Sequence, residues 1–401
     1  MKRLILCCDG TWNSADQIQN GHPSPTNVFR IAYRTARRDA GIPQIVYYGQ
    51  GVGTGNSLDR ITGGAFGKGV DDNIFNAYRF LIANYEPDDE IFLFGFSRGA
   101  FTARSIAGMI RKCGILCQEH ILQYVNAVAL YQNNENPNED RPSDFRRRYS
   151  VNGERDTPIR FIGVWDTVGA LGIPLRGMRW LTRGKYQFHD TELSRSVRHA
   201  CHALAIDERR SPFKPTLWQF KPKKNQTVEQ VWFPGVHTNI GGGYPDRSLS
   251  DITLEWMIGK SKSAGLVFDE RVEISRPVSP DCSGKIYQSK KGFYRLTRGH
   301  DRDIGWSELV QRDSGRTDQT KTESDRSGQD QRDRGRTEPA QPGIDQSGQD
   351  PQNNASGQSG LDPTQSVHQS ALDRWDGDPT YRPPALMEFF RRTDDNRANG
   401  K

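Results

Sequence analysis

A Gly95-Phe96-Ser97-Arg98-Gly99 run stands where an apolar stretch, Glu90-Ile91-Phe92-Leu93-Phe94, gives way to helical spacing from Ala100 onward. A serine on so sharp a strand-to-helix turn takes strained backbone angles. Its hydroxyl is lifted out at the helix N-terminus, where backbone N–H groups favour developing negative charge. Gly95 and Gly99 leave room for the helix to pack against the strand. The five-residue pattern alone is weak, and a capping serine at an ordinary turn is the plainer alternative. The flanking strand and helix make Ser97 a candidate nucleophile.

A serine hydroxyl needs a base to take its proton, and the base needs a carboxylate to orient it. Where such a turn carries a triad, the chain order is serine, acid, histidine, each after a strand. Asp166 ends the apolar run Ile159-Arg160-Phe161-Ile162-Gly163-Val164-Trp165, and His237 follows Glu229-Gln230-Val231-Trp232-Phe233. Three glycines, Gly241 to Gly243, suit a tight loop that brings the imidazole toward Ser97. Asp246 is the second candidate acid, but it follows His237 and breaks the order. His199 and His202 fall three apart in a stretch read as helix (193–206), where a structural pair is the plainer reading than a metal site.

The first strand ends in Asp9-Gly10-Thr11-Trp12-Asn13. Phosphatases of the haloacid dehalogenase type carry a similar Asp-Gly-Thr, but their nucleophilic aspartate would stand where this chain has Cys7. Gly10 or Thr11 is expected instead to offer a backbone N–H to an oxyanion, partnered by the amide of Arg98. Asp9 is expected to line the site or hold this loop by accepting nearby N–H groups. The glycine-rich stretch 49–55 lacks a clean dinucleotide spacing and is expected to form a wall of the cleft.

These residues must be placed by a fold. Continuous apolar runs at 3–8, 44–48, 90–94, 159–165 and 229–233 read as buried strands. Helical patterns at 28–38, 70–85, 100–112, 121–131, 193–206 and 252–263 alternate with them, and 132–144 reads as a loop. The expectation is an α/β fold with a mostly parallel sheet covered on both faces, α/β-hydrolase-like, with catalysts at the carboxyl ends of strands. Residues 312–365 hold few large apolar side chains and read as low-complexity and disordered. The expected organisation is therefore a catalytic domain over 1–311, that segment, and a C-terminal part over 366–401 packing back on the domain.

Composition narrows the function classes. The net charge of +6 is mild, and residues 312–365 hold 7 basic against 10 acidic residues, so the positive excess lies elsewhere. No zinc spacing or dense basic block favours nucleic acid, and Arg146-Arg147-Arg148 reads as a solvated face. The six cysteines are scattered, as in a reduced chain. No run reaches the ~20 apolar residues of a membrane span. The apolar start is too short for a signal peptide, so a cytoplasmic location is expected.

Leu6-Cys7-Cys8-Asp9-Gly10-Thr11-Trp12-Asn13, Gly51-Val52-Gly53-Thr54, the run 95–104, Val164-Trp165-Asp166-Thr167-Val168-Gly169-Ala170 and the run 235–244 together resemble an α/β-hydrolase family. It is that of the catalytic domains of type VI secretion phospholipase effectors. The resemblance spans about residues 2–265, and Tyr381-Arg382-Pro383-Pro384 resembles a remnant of it; Asn239 stands where many relatives carry Asp. It implies Ser97 as nucleophile, Asp166 as acid and His237 as base. It also implies hydrolysis of a lipid or other ester, transient contact with a membrane surface, and no cofactor or metal. The residues 171–181 are apolar with Arg176 and Arg179 and read as a cleft flap or a buried insertion. The alternative from another class is a non-catalytic scaffold that binds a partner; a nucleotide-dependent enzyme built on 49–55 is a third.

Overall fold

Every residue of the first strand, β1 (Arg3–Cys8), is buried. Leu4, Leu6 and Cys8 enter one apolar layer, and Ile5 and Cys7 enter another. Alternate side chains of a strand leave opposite faces, so a continuous apolar run demands a covering layer on each side. The computed structural model describes residues 1–10, 13, 17–51, 63–169, 192–219, 225–272, 277–290, 299–305 and 362–399.

After β1 come β2 (Ile18–Gln19), β3 (His22–Pro23), α1 (Asn27–Arg34), β4 (Arg38–Asp39), β5 (Ile42–Gly49), α2 (Gly63–Asn84), β6 (Glu90–Phe96) and α3 (Arg98–Cys113). A 3-10 turn (Gln118–Gln123) leads into α4 (Tyr124–Gln132), α5 (Asp140–Tyr149), β7 (Ile159–Trp165) and β8 (Val197–Ala205). Then follow β9 (Thr227–Phe233), the short α6 (His237–Gly241), α7 (Ser248–Ser263), β10 (Gln365–Val367), α8 (Gln369–Gly377) and α9 (Pro384–Asn399).

Among the described residues, eight strands form one sheet in the order β10-β9-β8-β7-β6-β1-β5-β4. All neighbours are parallel except β4, which runs antiparallel to β5. This is an α/β fold with a mostly parallel sheet. Side chains from α2, α3 and α4 cover one face, and those from α1 and α7 cover the other. A third apolar group joins Leu204 and Trp232 to Ile304, Ala371, Tyr381 and Leu386. The strand order reverses between β1 and β6, which opens a crevice at their carboxyl ends. No helix among the described residues is long and apolar enough to cross a membrane.

Several elements differ from the sequence-based expectation. Residues 193–206 are not a helix, because Val197–Ala205 forms β8, paired in parallel with β7 and β9. Its alanines favour helix locally, but hydrogen-bonded strands on both sides override that preference. In a strand His199 and His202 point to opposite faces, which removes the shared-helix-face reading. Within 132–144, read as a loop, α5 begins at Asp140. Arg146 is buried rather than solvated: its guanidinium donates to the carbonyls of Lys112 at 3.0 Å and Pro137 at 2.8 Å. Lys112 lies in the last turn of α3, where carbonyls have no intrahelical donor. The flap read at 171–181, Val52 to Gly55 and most of 312–365 lie outside the described residues.

The approach of α3 to the sheet depends on two glycines. A Cβ at Gly99 would lie 2.1 Å from the Cys8 carbonyl oxygen and 2.5 Å from that of Asp9. At Gly95 it would lie 2.4 Å from the Gly99 oxygen. Gly108, on the same helix, has nothing within 4 Å of such an atom. Gly99→Ala is expected to lower the unfolding free energy by about 2 kcal/mol or more. Gly108→Ala is expected to leave it unchanged or raise it by up to about 1 kcal/mol. Urea unfolding of the two variants checks both.

Candidate active site

Ser97 sits between β6 and α3 with φ 58 and ψ −121, a conformation that side chains beyond Cβ resist. It is held there by its backbone. The Ser97 N–H donates to Trp165 O at 3.0 Å, and its carbonyl accepts the N–H of Phe101 at 3.3 Å. Its side chain makes no capping bond to the helix. Arg98 opens α3, where an amide has no acceptor one turn back in its own helix.

Asp166 leaves β7 with φ 35, also left-handed, and is fully buried. Its Oδ2 receives the Nδ1 of His237 at 2.6 Å and a guanidinium N–H of Arg302 at 3.0 Å. Its Oδ1 accepts the N–H of Ala205 at 3.2 Å. Burial alone would raise this acid, but the Arg302 charge and the His237 hydrogen bond overcome it and hold the carboxyl at about 2. The ionised carboxylate makes Nδ1 the protonated nitrogen and leaves Nε2 of a neutral ring as the acceptor. Burial lowers His237 below its ordinary value, against the pull of Asp166.

The imidazole is fixed by packing as well. Its ring centroid lies 4.6 Å from that of Phe96 and 4.9 Å from that of Phe213. Phe96 precedes Ser97 in the chain, so the histidine ring lies against the residue next to the serine. Gly241 is what admits the Phe96 ring: a Cβ there would lie 2.1 Å from it. The N–H of His237 donates to Glu208 Oε2 at 3.3 Å, and Arg210 pairs with both oxygens of the same carboxylate at 2.9 Å.

Gly10, just past β1, borders the other side. A Cβ there would lie 3.2 Å from Ser97 Cβ, so Gly10 abuts the serine turn. The Gly10 N–H, however, donates to Asp9 Oδ1 at 2.7 Å, while Thr11 lies outside the described residues. Asp9 is buried and also accepts from Thr26 Oγ1 at 2.6 Å and Tyr48 Oη at 2.7 Å. Burial raises its carboxyl to about 6 despite these neutral donors.

The rivals lie elsewhere. Asp246 accepts the N–H groups of Ser248 and Lys285. His199 Nδ1 lies 2.8 Å from Thr227 Oγ1. His202 is buried, accepts the Thr167 N–H at Nε2, and is pushed down to about 3 by burial and Arg104. It therefore stays neutral and supports the turn after Asp166. Sequence reasoning missed Arg302, Glu208 and Arg210. The Glu208 turn was hidden by reading β8 as helix, and Arg302 has no local signal, lying far along the chain from Asp166. Beside the His237 turn is a cavity of about 500 Å³ whose walls include Asp207, Arg209, Val236, Tyr287 and Lys290.

Residues 2–260 match the family model described as the catalytic domain of the Tle1-like phospholipase effector of the type VI secretion system (T6SS). An uncharacterized Saccharomyces cerevisiae protein, YEL023C, is 32% identical over 236 residues, covering 53% of this chain and 32% of that protein. Among solved structures, an uncharacterized Pseudomonas aeruginosa protein is similar over 70% of this chain and 49% of its own, at 20% identity and TM-score 0.44. The Tle1 effector bound to the VgrG spike of the type VI secretion system is similar over 61% of this chain and 52% of its own, at 20% identity and TM-score 0.37. The chain thus spans about a third of the yeast relative and about half of each solved chain.

Asp9 generates a pH test. An acid near 6 in the fold and near 3.9 when unfolded binds its proton more in the folded chain between those values. Its contribution to stability is therefore fully present below about pH 4 and falls as pH rises through about 6. Asp207, also raised to about 6 by burial, acts in the same window. Asp9→Asn is expected to flatten part of this decline, read as a change in its stability relative to wild type between pH 4.5 and 6.5.

Proposed function

The chain belongs to the family of Tle1-like phospholipase effector catalytic domains, and from that membership in a lipid-hydrolase family we propose a serine hydrolase acting on acyl esters of phospholipids or related lipids. The observation that carries this reading is the 2.6 Å hydrogen bond from His237 Nδ1 to Asp166 Oδ2, with the imidazole packed on Phe96, which precedes a serine held at φ 58. A buried, oriented imidazole whose Nε2 reaches the hydroxyl of such a serine activates an otherwise weak nucleophile.

In this mechanism His237 Nε2 takes the Ser97 hydroxyl proton as Oγ attacks the ester carbonyl. The imidazolium is stabilised by the Asp166 carboxylate. The Arg98 amide, at the N-terminus of α3, faces the oxyanion. Collapse expels the alcohol, which takes the proton from His237, and leaves an acyl-serine. Water, deprotonated by the same imidazole, then hydrolyses that ester and restores Ser97. For Gly10 to join as a second oxyanion donor, its N–H must leave Asp9. Lys290 on the adjacent cavity wall supplies positive charge that suits a phosphate-bearing head group, while Arg209 on the same wall is paired with Asp301 at 2.9 Å.

The test is hydrolysis of p-nitrophenyl esters and phospholipid vesicles, with fluorophosphonate labelling alongside. Ser97→Ala is expected to lower kcat by roughly a thousandfold or more and to abolish labelling. Turnover that survives the substitution removes Ser97 as nucleophile, and folded wild type that neither labels nor turns over favours the binding scaffold. Because His237 must be neutral to act and is lowered by burial, the acidic limb of kcat/KM is expected below the ordinary histidine value of about 6.5.

A further inference from the structure

Arg302 lies beyond the residues 2–260 that match the family, yet its guanidinium reaches the carboxylate that holds the histidine. Its side chain is 1% exposed. One terminal N–H donates to Asp166 Oδ2 at 3.0 Å, and Nε donates to the carbonyl of Glu208 at 3.1 Å. The planar fork therefore ties together the turns that follow β7 and β8. Both turns touch His237, the first through Asp166 Oδ2 and the second through the Glu208 carboxylate on its backbone N–H.

The arginine is itself anchored. Ile304 packs with Trp232, Tyr381 and Leu386. The N–H of Gly305 donates to Gln365 Oε1 at 3.0 Å, and its carbonyl accepts the Asp362 N–H at 2.8 Å. Tyr381 Oη donates to Asp207 at 3.1 Å, and the same Asp207 oxygen accepts the Gly235 N–H at 2.6 Å, two residues before His237. The region beyond the family match thus braces the histidine loop at separate points.

We propose that Arg302 is a positioning residue of the triad: it locks the Asp166 carboxylate toward His237 and, as a second cation on the same oxygen, keeps the imidazole in the neutral form that accepts a proton. This rests on the reading of Ser97, Asp166 and His237 as catalytic. An unassisted aspartate two-oxygen acceptor can rotate away from its histidine; here Oδ1 is held by Ala205 and Oδ2 by both His237 and Arg302. Two cationic donors on one oxygen within 3.0 Å oppose each other's charge, so imidazolium forms less readily than beside a lone carboxylate. Among the described residues, the other charged groups facing the ring are Glu208 and Arg210, which pair with each other and largely offset.

The full chain tests this with Arg302→Met and Arg302→Gln, which remove the charge, and Arg302→Lys, which keeps charge and loses the fork. The primary readout is the NMR titration of the His237 ring, assigned by its loss in His237→Asn, and it needs no turnover. Both neutral variants are expected to raise that titration by about one pH unit and to move the acidic limb of kcat/KM up equally. Their plateau kcat is expected to fall roughly tenfold, with KM within about twofold. Arg302→Lys is expected to hold the titration near wild type and lose kcat severalfold. A folded neutral variant with an unmoved titration overturns the proposal, as does Arg302→Lys with wild-type kcat should neither neutral variant fold. Turnover insensitive to Ser97→Ala overturns the hydrolase reading instead, and the titration still decides whether Arg302 sets the state of His237.

Discussion

The closeness of α3 to β1 and β6 is the constraint on which the site depends. The helix can start immediately after β6 only because Gly95 and Gly99 carry no Cβ where backbone oxygens lie within 2.5 Å. With the helix seated there, Ser97 has no room for an ordinary extended-to-helical transition and adopts φ 58. Backbone strain of this kind costs on the order of 1–3 kcal/mol and persists only when the surrounding packing over-determines it. The eight-stranded sheet, buried on both faces beneath this helix, provides that over-determination.

Two buried carboxylates, each just past a strand of the same sheet, differ because of their partners. Asp166 has Arg302 and His237, and is held at about 2 against the effect of burial. Asp9 has the hydroxyls of Thr26 and Tyr48 and the Gly10 amide, all neutral, and burial carries it to about 6. Hydrogen bonds from neutral groups stabilise an anion less than a cation does in a low-dielectric setting. One acid therefore remains ionised across the physiological range, while the other lies close enough to neutrality to respond to pH. Separation of this sort between buried titratable groups gives them different surroundings, the first holding the His237 and Arg302 side chains and the second tying Gly10 to Thr26 and Tyr48.

Much of this was legible from short stretches of residues. The strands at 3–8 and 159–165 have the boundaries that their apolar runs imply. Asp166 and His237, chosen because each follows a strand, are brought together. The boundaries of β8 were not legible, since Ala200, Cys201, Ala203 and Leu204 carry no periodicity that separates a doubly buried strand from a helix. The Glu208–Arg210 pair disappeared with that strand. Arg302 was beyond local reading altogether: one of three arginines within eight residues becomes informative only once the chain has folded it against an aspartate from the middle of the sheet. Arg146 teaches the same lesson in reverse, because a run of three basic residues concealed one that is buried against carbonyls at the end of a helix.

The outermost strand of the sheet comes from far along the chain. Gln365, Ser366 and Val367 pair in parallel with Gln230, Val231 and Trp232, and α8 and α9 then cover the Trp232 face. During synthesis on the ribosome, all other strands of the sheet emerge well before β10 does. Until it arrives, the nascent chain presents β9 as a bare edge with an uncovered indole, the kind of surface that invites pairing with a second molecule. Closing so long a loop is also slow compared with local helix formation. Over that interval the β9 edge and the Trp232 ring lack the strand and helices that cover them in the folded chain.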